Sequence, residues 1–332
     1  MTTSGPEDFT IGGRSTVRDV LFDAEHRLRN AGVPSPSVDA AEIVAFALDT
    51  TRGRLFLQEE LSEEQKVHIE RLLTRRLARV PLQHLLGTAA FRYLDVAVGP
   101  GVFIPRPETE LLAEAAIREL NARPAEERIA VDLCSGSGIV AIALATECED
   151  STVCAVEWDD DAVVWTRRNV ETHQAAADAR RSRMTVEHAD ATTVAEPGQA
   201  LDGLAGTVAV VASNPPYIPN QMVPREPEVR DHEPHVALFG GEDGLDVIRG
   251  VAVTAARLLR PGGLLVIEHA DVQGVDAGPA GVPGVLASLR AEDPWAVSAG
   301  LPAGAPAFVD VVDRIDLNGL PRFTLARKAG LR

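Results

Sequence analysis

The hydrophobic positions of residues 15–80 recur at helical spacing, in three stretches separated by short polar breaks. Ser15 or Thr16 can cap the first helix, since their side-chain oxygens accept hydrogen bonds from free backbone N–H groups. Ser37 is expected to cap the second helix, after a Pro-Ser-Pro break, and Ser62 opens the third with capping-box spacing. This pattern predicts a small helical domain.

The pattern changes to alternation in residues 84–104. A turn is expected at residues 99–101, which read Gly-Pro-Gly, with residues 102–104 extended after it. Residues 105–110 follow with the sequence Pro-Arg-Pro-Glu-Thr-Glu, and Thr109 is a candidate cap for the next helix. We therefore predict a β-hairpin that links two domains.

From residue 129 onward, short apolar runs alternate with helical patterns. Repeated strand–helix units predict a doubly wound, mostly parallel sheet, and so an α/β fold. The strands are predicted at residues 129–133, 152–157, 184–188, 208–212 and 264–268, with a closing antiparallel hairpin of residues 308–312 and 322–326.

These patterns divide the chain into a helical domain (1–83), a hairpin linker (84–104) and an α/β domain (105–332). A length of 332 residues is sufficient for two domains. The helical part is either a scaffold or a docking surface for a macromolecule, and the residue pattern alone leaves both interpretations open.

The composition narrows the class of partner. Hydrophobic residues make up 45% of the chain and aromatic residues only 4%, so the core is built from Ala, Val, Leu and Ile. A formal net charge of −17 argues against the nucleic-acid backbone as main partner, because phosphate binding needs clustered Lys and Arg. Three cysteines without a metal-binding pattern, a start that lacks the features of a signal peptide and no long apolar run lead us to expect a cytoplasmic protein without a membrane span.

A turn of small residues follows the strand predicted at 129–133. Glycines let a backbone pass close beneath a ligand, and the N-terminus of the following helix faces it. Glu157, about twenty residues further on, ends the next strand, where a carboxylate can accept hydrogen bonds from both ribose hydroxyls. Asp190 follows the third strand and can meet an adenine amine. Solvated acids at strand ends are the alternative, but two acids in register with a glycine turn favour a nucleoside site. The residues of the turn are Cys134, Ser135, Gly136, Ser137 and Gly138.

The sequence Asn214-Pro215-Pro216-Tyr217 follows the strand predicted at 208–212. The Asn side-chain oxygen and a Pro carbonyl are both acceptors and together can take the two hydrogens of a planar NH2 group, with Tyr217 stacked on its face. Such contacts orient a weak nitrogen nucleophile toward an electrophile. A proline-rich loop without function is the alternative.

One loop carries four residues of types that commonly bind metals, namely Asp231, His232, Glu233 and His235. Neighbouring residues in a loop need not converge on one point, and Pro234 interrupts the run. We therefore expect no metal site there.

The chain resembles the release factor glutamine N5-methyltransferases, the PrmC/HemK family. Asn-Pro-Pro-Tyr alone is shared with adenine-N6 methyltransferases of nucleic acids, so the other segments narrow the resemblance to this family. The segments that carry it are residues 103–110, 132–138, 213–219, 228–230, 233–234, 237–246 and 261–263.

The resemblance implies a Rossmann-like, seven-stranded class I methyltransferase domain that depends on S-adenosylmethionine, preceded by a helical domain that docks the release factor. The implied reaction methylates the side-chain amide of the glutamine in the Gly-Gly-Gln motif of class I release factors. Nucleic acid and membrane are not expected as direct partners. The resemblance implies a cofactor site lined by residues 134–138, Glu157, Asp190, Ala191 and Asn214, with Phe103 and Arg106 bordering the active site and counted among the cofactor-binding residues. Asn214, Pro215, Pro216 and Tyr217 then hold the glutamine.

The chain departs from the family pattern at three of these positions. Cys134 stands where the family has glycine, and we expect a negative φ there because a cysteine avoids the left-handed region. Glu157 replaces the common Asp, and Ala191 replaces a frequent aromatic residue, which predicts weaker cofactor binding. Two other functions remain open from sequence: adenine-N6 methylation of DNA or RNA, and a non-catalytic cofactor-binding protein.

Overall fold

The computed structural model describes residues 16–58, 60–291 and 303–330. These residues form two compact units. The first contains the described residues up to Gly87 together with Pro224–His232, and the second contains the remainder. In the described ranges, no helix is both long enough and apolar enough to cross a bilayer.

The secondary structure alternates as the sequence pattern predicts from residue 129 onward. The helices are α1 Val17–Asn30, α2 Pro36–Ala47, α3 Glu63–Leu77, α4 Leu82–Leu86, α5 Thr109–Asn121, α6 Ile139–Glu147, α7 Asp160–Ala179, α8 Pro227–His232, α9 Asp246–Leu258 and α10 Val282–Ser288. The strands are β1 Thr88–Phe91, β2 Leu94–Ala97, β3 Ile129–Leu133, β4 Thr152–Glu157, β5 Arg183–His188, β6 Val208–Ser213, β7 Leu259–Glu268, β8 Phe308–Ile315 and β9 Pro321–Lys328.

The helix starts of the first unit test the predicted caps. Thr16 and Ser62 cap α1 and α3 as predicted, and each forms a capping box with the residue three positions on, whereas Ser15 lies outside the described residues. The prediction for Ser37 is wrong, because α2 already begins at Pro36, with Ser35 in the cap position. Proline favours the first helical position, where its fixed φ suits the helix and its missing N–H costs nothing.

The first unit also contains a buried ion cluster. Arg76 on α3 donates to Asp39 (2.7 Å) and to Glu228 on α8 (2.8 Å). Arg79 donates to both carboxylate oxygens of Glu228 at 2.7 and 2.6 Å. These contacts hold the pKa of Glu228 down to about 2, although burial opposes them. Charge-assisted bonds to two arginines therefore fix α8 to the helical unit.

A hairpin lies within residues 84–104 as predicted, but its turn lies elsewhere than expected. β1 and β2 pair across a turn at Arg92 and Tyr93, whereas residues 99–101 do not join two strands. Arg92 has a φ of +52°, and its N–H donates to Glu110 at 3.0 Å while its guanidinium pairs with Glu114 and Glu147. The partners that stabilise this turn lie 18 to 55 residues away, so the local pattern misplaced it.

The second unit contains a seven-stranded sheet in the order β5-β4-β3-β6-β7-β9-β8. β5, β4, β3, β6 and β7 are parallel, and β9 and β8 form the predicted antiparallel closure. Apolar clusters cover both faces of the sheet. The predicted doubly wound α/β fold is confirmed. Pro261-Gly262-Gly263, just before the strand predicted at 264–268, lies within β7, with Gly262 at a φ of +73°.

Candidate active site

The strands of the sheet centre end in one row. Val156, Leu133, Ser213 and Ile267 are register partners on β4, β3, β6 and β7. The next residues along these strands are Glu157, Cys134, Asn214 and Glu268. Sequence analysis had selected the first three of them. Since the chain reverses its direction of winding between β3 and β6, this carboxyl edge is where an open α/β sheet binds its ligand.

The turn after β3 is left-handed at its first residue. Cys134 has a φ of +61°, so the expected negative value is wrong. The Ser135 N–H donates to the Val156 carbonyl at 3.0 Å, and this neighbouring-strand contact fixes the direction of the turn. The cysteine thus adopts the conformation that a glycine adopts without strain, and its Cβ adds a cost of roughly 1–2 kcal/mol.

Two residues of α7 hold the rest of this turn, and the sequence analysis missed both. The Thr166 hydroxyl donates to the Gly136 carbonyl at 2.6 Å, and the Asn169 amide donates to the Ser137 carbonyl at 2.9 Å. A Cβ on Gly138, which has a φ of +81°, would lie 3.1 Å from the Thr166 methyl. The signal that could have revealed them is a pair of polar residues three positions apart on the buried face of a helix.

Glu157 accepts three backbone hydrogen bonds. Its Oε2 accepts from the Gly136 N–H at 2.7 Å, and its Oε1 accepts from the N–H groups of Trp158 and Asp159 at 3.0 Å each. Burial raises the pKa of Glu157, while these three bonds oppose the rise. A carboxylate offers about four lone-pair positions, so capacity remains for a ligand hydroxyl. The exposed indole of Trp158 is next to it in sequence, a feature that the sequence analysis did not select.

Ser135 adds an unusual feature to the turn. Its side chain is buried, and its hydroxyl oxygen has no hydrogen-bond partner in the part of the chain that the structure describes. Buried hydroxyls are normally paired. An unpaired one beside a glycine turn and a carboxylate fits a ligand with polar groups.

Asp190 and Ala191 lie in the turn after β5. The Ala189 N–H donates to the Glu157 carbonyl at 3.0 Å, which joins this turn to the end of β4. Asp190 is exposed, and its Oδ1 accepts from the N–H and hydroxyl of Thr192 at 2.8 and 2.7 Å. Ala191 is buried in the second apolar cluster. One oxygen of Asp190 is therefore engaged in its own turn, and the second position offers only a methyl group.

Asn214 contacts a residue that had been given another role. Its Nδ2 donates to the Thr109 hydroxyl oxygen at 3.2 Å, and the Thr109 hydroxyl donates to Glu268 Oε2 at 2.8 Å. The predicted capping role of Thr109 is wrong. α5 begins at Thr109 itself, with Glu108 in the cap position, because Thr109 uses its hydroxyl for Glu268 and Asn214.

The segment after Asn214 packs closely on the loop 238–244. A Cβ on Gly240 would lie 2.4 Å from the Pro216 carbonyl oxygen, and one on Gly244 would lie 2.3 Å from the Tyr217 carbonyl oxygen. Gln273 also donates to the Tyr217 carbonyl at 3.0 Å. Only glycine permits this approach, so the two loops form one rigid layer behind the carboxyl edge.

Two ionisable side chains at this edge, Glu268 and Tyr217, have raised pKa values. Burial raises the pKa of Glu268 to about 7, against the Thr109 hydrogen bond and the charge of Arg322, which lower it. Burial also raises the pKa of the Tyr217 hydroxyl, and the Glu268 charge adds to this effect. Tyr217 is half-buried against the second apolar cluster. The Tyr217 hydroxyl therefore keeps its proton at neutral pH, whereas the buried Glu268 titrates near neutrality.

Phe103 and Arg106 lie together before α5. The Arg106 guanidinium carbon is 4.9 Å from the centre of the Phe103 ring, a cation–π contact, and Arg106 donates to the buried carboxylate of Glu233. Burial raises the pKa of Glu233. Glu233 was considered above as a metal ligand and also lies in one of the segments that carry the family resemblance. Among the described residues, no group of three or more His, Cys, Asp and Glu side chains could hold a metal ion.

Two family models match the chain. The "PrmC N-terminal domain" matches residues 19–87, and the "Methyltransferase small domain" matches residues 93–224. The first match lies within the helical unit, and the second covers β2 to β6 and so includes the turn after β3, Glu157 and Asn214.

Curated relatives match over nearly the whole chain. A release factor glutamine methyltransferase of Streptomyces coelicolor is 45% identical over 93% of this chain and 97% of its own length. One of Mycobacterium tuberculosis is 39% identical over 95% and 92%. One of Deinococcus radiodurans is 35% identical over 95% and 99%.

Proposed function

The chain belongs to the release factor glutamine methyltransferase family, and we propose that it transfers a methyl group from S-adenosylmethionine to the N5 amide nitrogen of the Gly-Gly-Gln glutamine in class I release factors. The single observation that supports this most strongly is the row of Glu157, Cys134 and Asn214 at one sheet edge. This row places a nucleoside site next to the hydrogen-bond acceptors of residues 214–217, which we call the amide clamp. The fold is the seven-stranded class I methyltransferase fold that this activity requires.

The residues at the end of β3 and β4 fit S-adenosylmethionine. When bound, this cofactor supplies an electrophilic methyl group on a cationic sulfonium. The remaining lone pairs of Glu157 would accept from the ribose hydroxyls, and the unpaired Ser135 hydroxyl would gain a polar partner in the turn 134–138. Asp190 and Ala191 would border the adenine, and Phe103 and Arg106 would border the methyl-transfer site.

The residues after β6 would hold the glutamine. Asn214 donates its Nδ2 hydrogen to Thr109, so its Oδ1 is directed away from Thr109. The Pro216 carbonyl faces Gly240, which leaves the Pro215 carbonyl as the second acceptor for the amide hydrogens. Tyr217 would pack on the face of the amide. With both hydrogens accepted, electron density rises on the nitrogen, and the positive charge that forms during attack is stabilised. As the methyl group leaves the sulfonium, which becomes a neutral thioether, the nitrogen would lose one hydrogen as a proton to water.

No general base is required before attack, because the electrophile is a cationic sulfonium and the nitrogen is neutral. The site agrees with this: Glu268 is buried behind Thr109, and burial raises the pKa of the Tyr217 hydroxyl. The clamp thus acts by positioning and by electrostatic stabilisation.

The helical unit is proposed to dock the release factor. It presents several large apolar side chains to solvent, which is typical of a surface that binds a protein partner. The exposed residues are Phe22, Phe56, Leu57 and Val67. We retain residues 1–83 as this docking domain, 84–104 as the linker and 105–332 as the catalytic domain, except that Pro224–His232 belong with the helical unit. The net charge of −17 and the extent of the family match disfavour adenine-N6 methylation of nucleic acid.

The test is methyl transfer to a purified class I release factor with methyl-labelled S-adenosylmethionine. The label is expected on the wild-type factor and absent from a factor whose Gly-Gly-Gln glutamine is replaced by alanine. Equal labelling of both factors would refute the proposal, and labelling of duplex DNA or RNA with steep salt dependence would support the alternative.

A further inference from the structure

We propose that Thr109 and Glu268 are positioning residues that fix the side-chain amide of Asn214 with its oxygen toward the acceptor glutamine. The inference rests on the proposed function and adds two residues to it. Neither lies in the Asn-Pro-Pro-Tyr segment, and they are 105 and 54 residues away from Asn214 in sequence, since 214 − 109 = 105 and 268 − 214 = 54.

The direction of the hydrogen bonds follows from the chemistry of the three side chains. An ionised carboxylate only accepts, so the Thr109 hydroxyl must donate its one hydrogen to Glu268. The Thr109 oxygen can then only accept from Asn214, and the amide must present Nδ2 to it. This places Oδ1 on the other side of the amide, where it is able to accept an N–H group.

Such an arrangement is needed because the backbone does not fix the amide. Pro215 and Pro216 hold the chain at the strand end, but the last torsion of an Asn side chain is broad and roughly two-fold. A flipped amide would present NH2 to the NH2 of the substrate and would accept neither hydrogen. Thr109 is 3% exposed and Glu268 is 1% exposed, so water does not compete with the two bonds.

Protonation of Glu268 would remove this restriction. A carboxyl group can donate to Thr109, which then donates to Asn214 and permits the flipped amide. The groups that act on Glu268 come from three further segments: Arg322 on β9 favours the carboxylate, Glu108 before α5 opposes it, and Tyr217 after β6 hydrogen-bonds to it. Because the pKa of Glu268 is about 7, the ionised form predominates only above neutral pH.

The first experiment compares Thr109→Val with Thr109→Ser. Valine keeps the shape and removes the hydroxyl, whereas serine keeps the hydroxyl. We expect kcat for a saturating release factor to fall roughly 10- to 100-fold in the valine variant, as for other losses of substrate orientation. Thr109→Ser should stay within about threefold of wild type on the same argument. The cofactor Kd should be unchanged in both variants, since the Thr109 side chain contacts Asn214 and Glu268 and not the turn 134–138.

The second experiment measures the pH dependence of kcat between pH 5.5 and 9. Wild type should lose activity as the pH falls through about 7, where Glu268 gains its proton. The acid limb should disappear in Glu268→Gln, a neutral side chain of the same shape, so that its profile is flat in this range. This readout does not depend on Thr109→Val folding.

The two experiments can contradict the proposal clearly. The proposal is overturned if Thr109→Val keeps the wild-type kcat, or if Thr109→Val and Thr109→Ser lose activity equally. It is also overturned if the acid limb persists in Glu268→Gln. Failure of the proposed function looks different, because wild type would then not methylate the release factor at all.

Discussion

The two halves of the carboxyl edge are built in different ways. At the half proposed to bind the cofactor, the ends of β3 and β4, Glu157 is held by three backbone N–H groups from residues within 21 positions. At the half proposed to hold the acceptor, the ends of β6 and β7, Asn214 is held by the side chain of Thr109, which in turn contacts Glu268, 159 residues away from it. One half is built from local backbone and the other from distant side chains.

The difference suits what each half must do. A ribose offers two hydroxyls that both donate and accept, so a carboxylate fixed by backbone is sufficient to bind it. The reacting nitrogen of a glutamine amide offers only its two hydrogens, so orienting it requires an acceptor whose direction is fixed. The following predictions separate the two halves, from the largest expected effect to the smallest.

Glu157→Ala should weaken cofactor binding and leave methyl transfer at saturating cofactor much less affected. Loss of charge-assisted hydrogen bonds predicts a rise in cofactor Kd of roughly 10- to 100-fold. Isothermal titration calorimetry gives the Kd. Glu187→Ala, which removes another carboxylate near the end of a neighbouring strand, is the matched control and should bind normally. A Kd within threefold of wild type for Glu157→Ala would remove it from the ribose site.

Asp132→Asn should change the pH dependence of stability in the absence of cofactor. Burial raises the pKa of Asp132 from 3.8 to about 8, so the folded protein holds this proton to higher pH than the unfolded chain does. Stability is therefore lost as the pH rises through this window, and the variant escapes the loss. We expect the variant to gain roughly 2 kcal/mol relative to wild type between pH 6 and pH 8.

Urea unfolding at the two pH values measures this difference. Glu268→Gln should show the same sign with a smaller gain, because the pKa of Glu268 rises only to about 7. A gain for Asp132→Asn that is equal at both pH values would contradict the assignment.

Cys134→Gly should stabilise the protein slightly. It removes a left-handed cysteine, which costs roughly 1–2 kcal/mol. The greater freedom of glycine in the unfolded chain offsets about half of the gain, so we expect a net 0.5–1 kcal/mol. Cys134→Ala keeps a Cβ at the same φ of +61° and should not gain. Equal stability of the Gly and Ala variants would show that the turn relaxes around the cysteine.

The sequence predicted the local structure at the ends of β3 and β4 better than the contacts at the ends of β6 and β7, and the reason is physical. The turn 134–138 and Glu157 could be located directly, because glycines, an apolar strand and an acid at its end are signals of local backbone structure. Thr109 and Glu268 could not, because their contacts depend on how α5 and β7 meet β6. From sequence, Thr109 was predicted to cap α5, because a threonine before a helix often caps it.

Local reasoning failed at Cys134 and Arg92 for the same reason. Both adopt positive φ, and in each case contacts to other elements hold a conformation that the residue type disfavours. The row of strand ends on β4, β3, β6 and β7 brings together Glu157, Cys134, Asn214 and Glu268, which are far apart in sequence. It becomes visible only once the strand order is known.

The most direct test of the account is single-turnover methyl transfer to a release factor at saturating cofactor, measured for wild type and Asn214→Ala. If Asn214 orients the acceptor, the rate should fall at least about 1000-fold, while the cofactor Kd changes by less than about threefold. A rate within about twofold of wild type, or a loss explained entirely by weaker cofactor binding, would contradict the central claim that Asn214 acts on the acceptor.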